Sequence, residues 1–306
     1  MNHKPTISFT KISDYLNCPY SYKLKYLTEK PSVKKSLAMW CGYVAETSVS
    51  LYVESPKIAD TPHKLARESF YACYDFLPFV SKEFKEAYLD YVNTYPKQSL
   101  YQTAVLNNLA NGLATPDFFY KVSSKSASKG DDLFTSHLIK LFLSIHNFYK
   151  NPEWGTFAKD TNWIKQQQVL NVELEHFIAT GVADMILQKS DNEIIILDIK
   201  YSKYNSSYNL NSDYQLAFYK MLYEKMHPDQ TVKVGHLNMY TPDKGNSNFM
   251  TLATPDLEKD IENVLKKIHY DTQDDGFVKV CGLGAYNSIQ KRCSMKTICP
   301  SATKGF

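Results

Sequence analysis

The feature that most constrains this chain is a pair of apolar segments separated by a short polar turn. Ile178 to Gln188 and Glu193 to Lys203 flank Ser190-Asp191-Asn192, a pattern that predicts two strands joined as a β-hairpin. Ile194-Ile195-Ile196-Leu197 is apolar on both faces, which predicts a central strand covered from both sides. With the turn centred near Asp191, residues whose numbers sum to about 382 face each other across the ladder. Asp184 and Asp198 meet that condition, which puts their Cβ atoms ~5 Å apart. Lys200 lies two residues beyond Asp198 and shares its face.

Two carboxylates and a lysine on one side of an otherwise apolar strand pair are expensive to bury. The carboxylates repel, and each raises the other's pKa unless a cation lies between them. A divalent metal removes both problems, and hard oxygen ligands suit Mg²⁺ or Mn²⁺. A lysine beside such a site can orient water or balance charge on a phosphate. The competing reading is structural: an aspartate at a strand end, and Asp198 as the salt-bridge partner of Lys200.

Around the hairpin the texture is mixed. Residues 8–28 have helical apolar spacing interrupted at Pro19, where a kink or a new helix start is expected. A second helix is expected over 36–54, and residues 56–160 form a largely helical, aromatic-rich insertion with a loop at 123–130 and a helix over 131–150. Gln168 to Phe177 reads as a strand before the hairpin. After it come an amphipathic helix over 211–226, strands over 232–240 and 248–253, and a helix over 255–270 with Pro255 in its first turn. The order β-β-β-α-β-β-α, fronted by helices, indicates a single α/β or α+β domain with a helical insertion.

Set in this order, the motifs are similar to those of a known family. Gly181-Val-Ala-Asp184, thirteen residues between the two aspartates, and Leu197-Asp198-Ile199-Lys200 resemble the PD-(D/E)XK nuclease superfamily. Gln215-Leu-Ala-Phe-Tyr219 resembles the Q-x-x-x-Y motif of its RecB-like branch, and Gly42-Tyr-Val-Ala-Glu46 resembles that branch's G-x-x-x-H helix. Ile7-Ser8-Phe9-Thr10 with Tyr15-Leu16-Asn17-Cys18-Pro19 resembles its N-terminal segment. The resemblance implies a restriction-endonuclease-like core, a mixed central sheet flanked by helices, at about 161–270. It implies metal ligation by Glu46, Asp184 and Asp198, catalysis by these with Lys200, and substrate contact by Gln215 and Tyr219. Glu46 stands where the branch has His, and a carboxylate is also a competent ligand.

Members such as AddB-type nuclease domains and the CRISPR-associated four-cysteine exonucleases hold a [4Fe-4S] cluster. By that resemblance Cys18, Cys293 and Cys299 are candidate ligands. Gln290 occupies the position expected for the remaining cysteine, and Cys281 is the substitute in the preceding segment. Four thiolates also suit structural Zn²⁺. Cys41 and Cys73 sit in apolar helices and read as core residues.

Composition narrows the partners. The net charge of +3 is too mild to demand nucleic acid, but Arg67 and Arg292 are the only arginines. Lysine acts as a point charge on phosphate rather than a bidentate reader of guanine, so contact with DNA ends or single strands is expected to be mainly to the backbone. No apolar run reaches the length of a membrane span and no secretory signal is visible, so a cytoplasmic protein (of the host cytoplasm, if viral) with no membrane partner is expected. No Walker-type loop is present, so any motor is expected to come from a helicase or recombination partner. The expected activity is metal-dependent hydrolysis of DNA phosphodiesters, in the manner of an exonuclease of recombination, end processing or phage-type replication. The alternatives are a catalytically silent DNA-binding subunit, an RNA nuclease and a structural helical protein.

Overall fold

The computed structural model describes residues 4–28, 37–54, 61–74, 133–159, 162–201, 213–240 and 250–278. The loop expected at 123–130, most of the 56–160 insertion, and Cys281, Gln290, Cys293 and Cys299 lie outside the described residues.

The chain opens with β1 (Thr6–Ser8), α1 (Phe9–Asn17) and α2 (Pro19–Tyr26). Cys18 separates the two helices in an extended conformation, and Pro19 takes the first helical position of α2, where its missing N–H costs nothing. Then come α3 (Leu37–Glu54), α4 (Pro62–Tyr74), α5 (Leu133–Lys150) and α6 (Pro152–Lys159). The core continues as β2 (Asn162–Glu173), β3 (Ile178–Ser190), β4 (Glu193–Lys200), α7 (Tyr214–Met226), β5 (Thr231–Asn238), β6 (Met250–Ala253) and α8 (Glu258–Asp274).

Among the described residues the expected order of strands and helices is present, with three differences. Three-residue β1 was not anticipated; it pairs in parallel with Ile178–Thr180 of β3, a contact across the whole core that local pattern does not carry. β2 begins six residues before the expected strand and ends at Glu173, because Leu174–Phe177 form the hairpin loop, with Leu174 N–H donating to Phe177 O at 2.8 Å. α8 starts at Glu258, after Pro255, with Glu258 and Asp260 in its first turn, where acidic side chains favour a helix start. It runs on to Asp274, so its last turn brings Asp271 to Tyr15 of α1, whose hydroxyl donates to Asp271 Oδ2 at 2.5 Å.

The sheet order is β1-β3-β4-β5-β6, with β2 also paired to β3. β2–β3, β3–β4 and β5–β6 are antiparallel, while β4–β5 is parallel. β4 is central, and Ile194, Ile195, Ile196 and Leu197 are each fully buried. Side chains of this kind contribute roughly 1.5–3 kcal/mol each on burial. Ile195 and Leu197 pack with Met185 and Leu187 against α3, α4, α5 and α6. Ile194 and Ile196 pack with Ile186, Val232 and Val234 against α1, α2, α7 and α8. A mixed sheet between two helical layers is thus present, as in the restriction-endonuclease-like α/β fold. α7 is less amphipathic than its sequence suggests: Leu216 to Tyr223 are all buried except Lys220, because the helix is wedged between the sheet and α8. Among the described residues no helix is long and apolar enough to cross a membrane.

Candidate active site

The hairpin register sets the site. Met185↔Leu197, Ile186↔Ile196, Leu187↔Ile195 and Gln188↔Ile194 pair across β3 and β4, the register expected from the sequence. The ladder stops at Met185↔Leu197, one step before the two aspartates. There Asp184 Oδ2 accepts the backbone N–H of Ile199 at 2.8 Å, so a side chain takes over a backbone acceptor's role.

The alternation of β3 also inverts at this point. Ala179 and Ala183 pack in the same layer as Ile186, although strict alternation would place them with Met185 and Leu187. Across the ladder, Gln166↔Met185 and Gln168↔Ala183 are paired, while Gln167, opposite Asp184, is unpaired and has φ 49°.

Asp198 is buried at 3 % exposure. Its Oδ1 accepts the side-chain N–H of Gln215 at 2.8 Å, and its Oδ2 lies 2.6 Å from Lys200 Nζ without a well-directed hydrogen bond. Lys200 Nζ in turn donates to Gln215 Oε1 at 3.0 Å, and Gln215 Nε2 reaches the Tyr219 hydroxyl at 3.2 Å. Gln215 is held there by Asp213, the N-cap of α7, whose Oδ1 accepts from the backbone N–H groups of Gln215 and Leu216 at 2.9 and 3.1 Å. Gln215 and Tyr219 share the α7 face that looks onto β4.

Glu46 comes from α3, and its Oε1 accepts the side-chain N–H of Gln167. Burial, then the Asp198 charge, pushes Glu46 up to about 7, with Lys200 opposing. Burial, then Asp198 and Glu46, pushes Asp184 up to about 7 as well, against the pull of the Ile199 amide and Lys200. Burial also raises Asp198, although Lys200 and His236 favour its ionised form. Tyr219 is pushed up to about 12, by burial and by the three carboxylates. Burying Asp198, half-burying Glu46 and Asp184, and placing all three within one another's fields is unfavourable unless a cation compensates.

Among the described residues no three His, Cys, Asp or Glu side chains gather closely enough to hold a metal ion between them. Each carboxylate is instead engaged by a protein donor: Glu46 by Gln167, Asp184 by Ile199 and Asp198 by Gln215. The donor set is all hard oxygen, and the buried Asp198 Oδ2 faces the Lys200 ammonium at 2.6 Å and His236 Nε2 at 3.8 Å. In chemistry this set fits Mg²⁺ or Mn²⁺.

Sequence reasoning missed three residues here. His236 of β5 pairs with Asp198 of β4, and its Nε2 lies 3.3 Å from Asp213 Oδ2 and 3.8 Å from Asp198 Oδ2. Burial works against the ionised form of Asp213, but His236 and the amides of Leu216 and Gln215 outweigh it and hold Asp213 below the usual carboxylate range. A histidine inside the strand expected over 232–240 and an aspartate just before a helix were the available signals. Gln167 had none, because its role depends on a break in the ladder. Gly181 of the first motif has a packing reason: a Cβ there would stand 2.9 Å from Tyr219 Cε1.

The three described cysteines divide between the two helical layers. Cys18 is buried where α1 meets α2, while Cys41 and Cys73 lie in the core under α3 and α4. Burial pushes Cys41 up to about 12, as for an inert core thiol.

Comparison with known proteins adds a family. The model of the PD-(D/E)XK nuclease superfamily matches residues 134–300. Among solved structures, a "Putative exonuclease" from Eubacterium rectale is 9% identical with a TM-score of 0.43, over 98% of this chain and 89% of that one. The crystal structure of SSO0001 is 14% identical with a TM-score of 0.28, over 60% of this chain and 81% of that one. Likenesses at these scores carry no argument about activity. No curated protein matches the chain.

Proposed function

The chain belongs to the PD-(D/E)XK nuclease superfamily, and from that premise we propose that it is a divalent-metal-dependent DNA nuclease that hydrolyses phosphodiester bonds from strand ends. The observation that carries this reading is the buried Asp198, paired at 2.6 Å with Lys200 and bridged to it by Gln215. An aspartate kept only for stability has no need of a second carboxylate, Asp184, whose charge it opposes.

Glu46, Asp184 and Asp198 would hold Mg²⁺ or Mn²⁺. When bound, such an ion supplies Lewis acidity toward a phosphoryl oxygen and toward water. Lys200 places its ammonium where charge develops on the phosphate. Gln215 keeps Lys200 and Asp198 in fixed relation, and Tyr219, a neutral phenol, braces Gln215. Contacts to DNA are to the backbone, in keeping with a lysine-rich chain. The setting is the cytoplasm, with recombination or end processing beside a separate helicase.

A [4Fe-4S] cluster on Cys18, Cys281, Cys293 and Cys299, or Zn²⁺ on the same thiolates, belongs to the same reading. It is supported by chain reach. Tyr20 N–H donates to Val278 O at 3.3 Å, and Phe277 stacks on Tyr22. The described residues thus end beside the segment that holds Cys18, three residues before Cys281 in the sequence. An anaerobic preparation containing iron and sulfide supports the cluster. A colourless one with stoichiometric zinc replaces it.

The deciding experiment is cleavage of end-labelled single- and double-stranded DNA and RNA in Mg²⁺, Mn²⁺ or EDTA, with wild type and Asp198→Ala. Metal-dependent shortening from the ends, lost in the variant, is the expected result. No cleavage under any metal would overturn the reading in favour of a silent binding subunit, and cleavage of RNA alone would change the substrate.

A further inference from the structure

Among the described residues two non-glycine residues have a positive φ, Gln167 and Asp275. Asp275 is the C-cap of α8, where the left-handed conformation is common. Gln167 is different: it lies inside β2, between residues paired on both sides to β3. Glutamine has no intrinsic tolerance for this conformation. Such a residue persists only where its surroundings over-determine it, and irregularities of this kind serve to re-aim a side chain.

The side chain is aimed at α3. The Gln167 side-chain N–H donates to Glu46 Oε1, across 121 positions of sequence. On the facing strand Asp184 sits where the β3 alternation inverts and turns its carboxylate to the Ile199 amide. One break in the β2–β3 ladder therefore sends the Asp184 carboxylate to β4 and the Gln167 amide to α3.

We propose that Gln167 is a positioning residue for Glu46: a backbone-strained amide that holds the third carboxylate in place beside Asp184 and Asp198. The proposal rests on the nuclease reading above and deepens it. Glu46 stands on a helix of the layer opposite to α7, so no residue of the Asp198–Lys200–Gln215 network fixes its carboxylate.

The test uses the full chain and two variants. Gln167→Gly relieves the backbone and deletes the amide. Gln167→Glu keeps the length and replaces the donor with a carboxylate. Metal-free Gln167→Gly should melt at or above the wild-type temperature. Its rise in melting temperature on adding Mn²⁺ should shrink, and the Mn²⁺ concentration for half-maximal cleavage should increase roughly tenfold or more. Gln167→Glu should behave likewise in the wild-type background and add nothing in a Glu46→Ala background, because the two residues act as one unit.

A wild-type Mn²⁺ response in Gln167→Gly overturns the proposal. So does a lower melting temperature of that metal-free variant, which would assign the side chain a packing role, or additivity with Glu46→Ala. If wild type itself shows neither a Mn²⁺ response nor cleavage, the nuclease reading falls and takes this inference with it. A responsive wild type with indifferent variants sinks the inference alone.

Discussion

Lys200 Nζ lies 2.6 Å from Asp198 Oδ2, yet this is not an arrangement that burial rewards. Asp198 is almost wholly inaccessible, while the Lys200 side chain is 38% exposed. Lysine can turn to solvent when its partner is removed; the aspartate cannot.

Asp198→Ala should therefore abolish metal-dependent cleavage, by at least roughly 100-fold, without destabilising the metal-free protein. Relief of the Asp184–Asp198 repulsion offsets the lost ion pair. Thermal melts in EDTA check this. A clear fall in melting temperature would assign Asp198 to structure.

The raised carboxylates give a pH prediction with a definite sign. Glu46 and Asp184 have ordinary values of 4.5 and 3.8 and are both pushed up to about 7 in the fold. The folded state binds more protons than the unfolded one across that window, so stability falls as pH rises. Their contribution is fully present below the ordinary values and gone once pH passes about 7. In EDTA the wild type should lose more stability between about pH 5 and about pH 8 than Asp184→Asn does, and Mg²⁺ or Mn²⁺ should narrow the gap at the upper end. Urea melts at the two pH values decide it, and identical slopes for the two proteins would refute it.

Gly181 and Tyr219 make a packing prediction. A Cβ at position 181 would meet Tyr219 Cε1 at 2.9 Å and Cδ1 at 3.1 Å, with Leu222 Cδ1 at 3.4 Å. Gly181→Ala should cost about 1–3 kcal/mol through the displaced ring and lower activity through Gln215, which Tyr219 braces. Tyr219→Leu should recover part of the stability in the double variant but not the activity. Chemical denaturation together with cleavage rates separates the two effects.

Asp213 serves as a helix cap and as a partner of His236. Asp213→Ala should cost about 1 kcal/mol, the usual loss for an N-cap. Asp213→Ser should keep the cap and remove the charge, leaving most of the stability in place. If activity falls in both variants while stability falls in one, the charge facing His236 contributes to the site. Equal activity in wild type and Asp213→Ser would confine Asp213 to capping.

The sequence by itself determined the hairpin. Side chains in a strand alternate with a period of two, so one turn centre and one apolar run were enough to set Met185–Gln188 against Ile194–Leu197; the alternation breaks at Asp184, where the ladder ends. It likewise determined the helix bearing Gln215 and Tyr219, whose spacing of four residues puts them on one face. Tertiary structure alone decided the rest. β1 exists only because Thr6–Ser8 meet Ile178–Thr180, and His236 reaches Asp198 only through the parallel pairing of β4 with β5. The left-handed turn of Gln167 toward Glu46 has no local cause in a glutamine; the ladder on either side imposes it. Periodicity reports which face a residue occupies, but which distant segment arrives at that face is settled by packing, and three of the contacts that shape this site are of that kind.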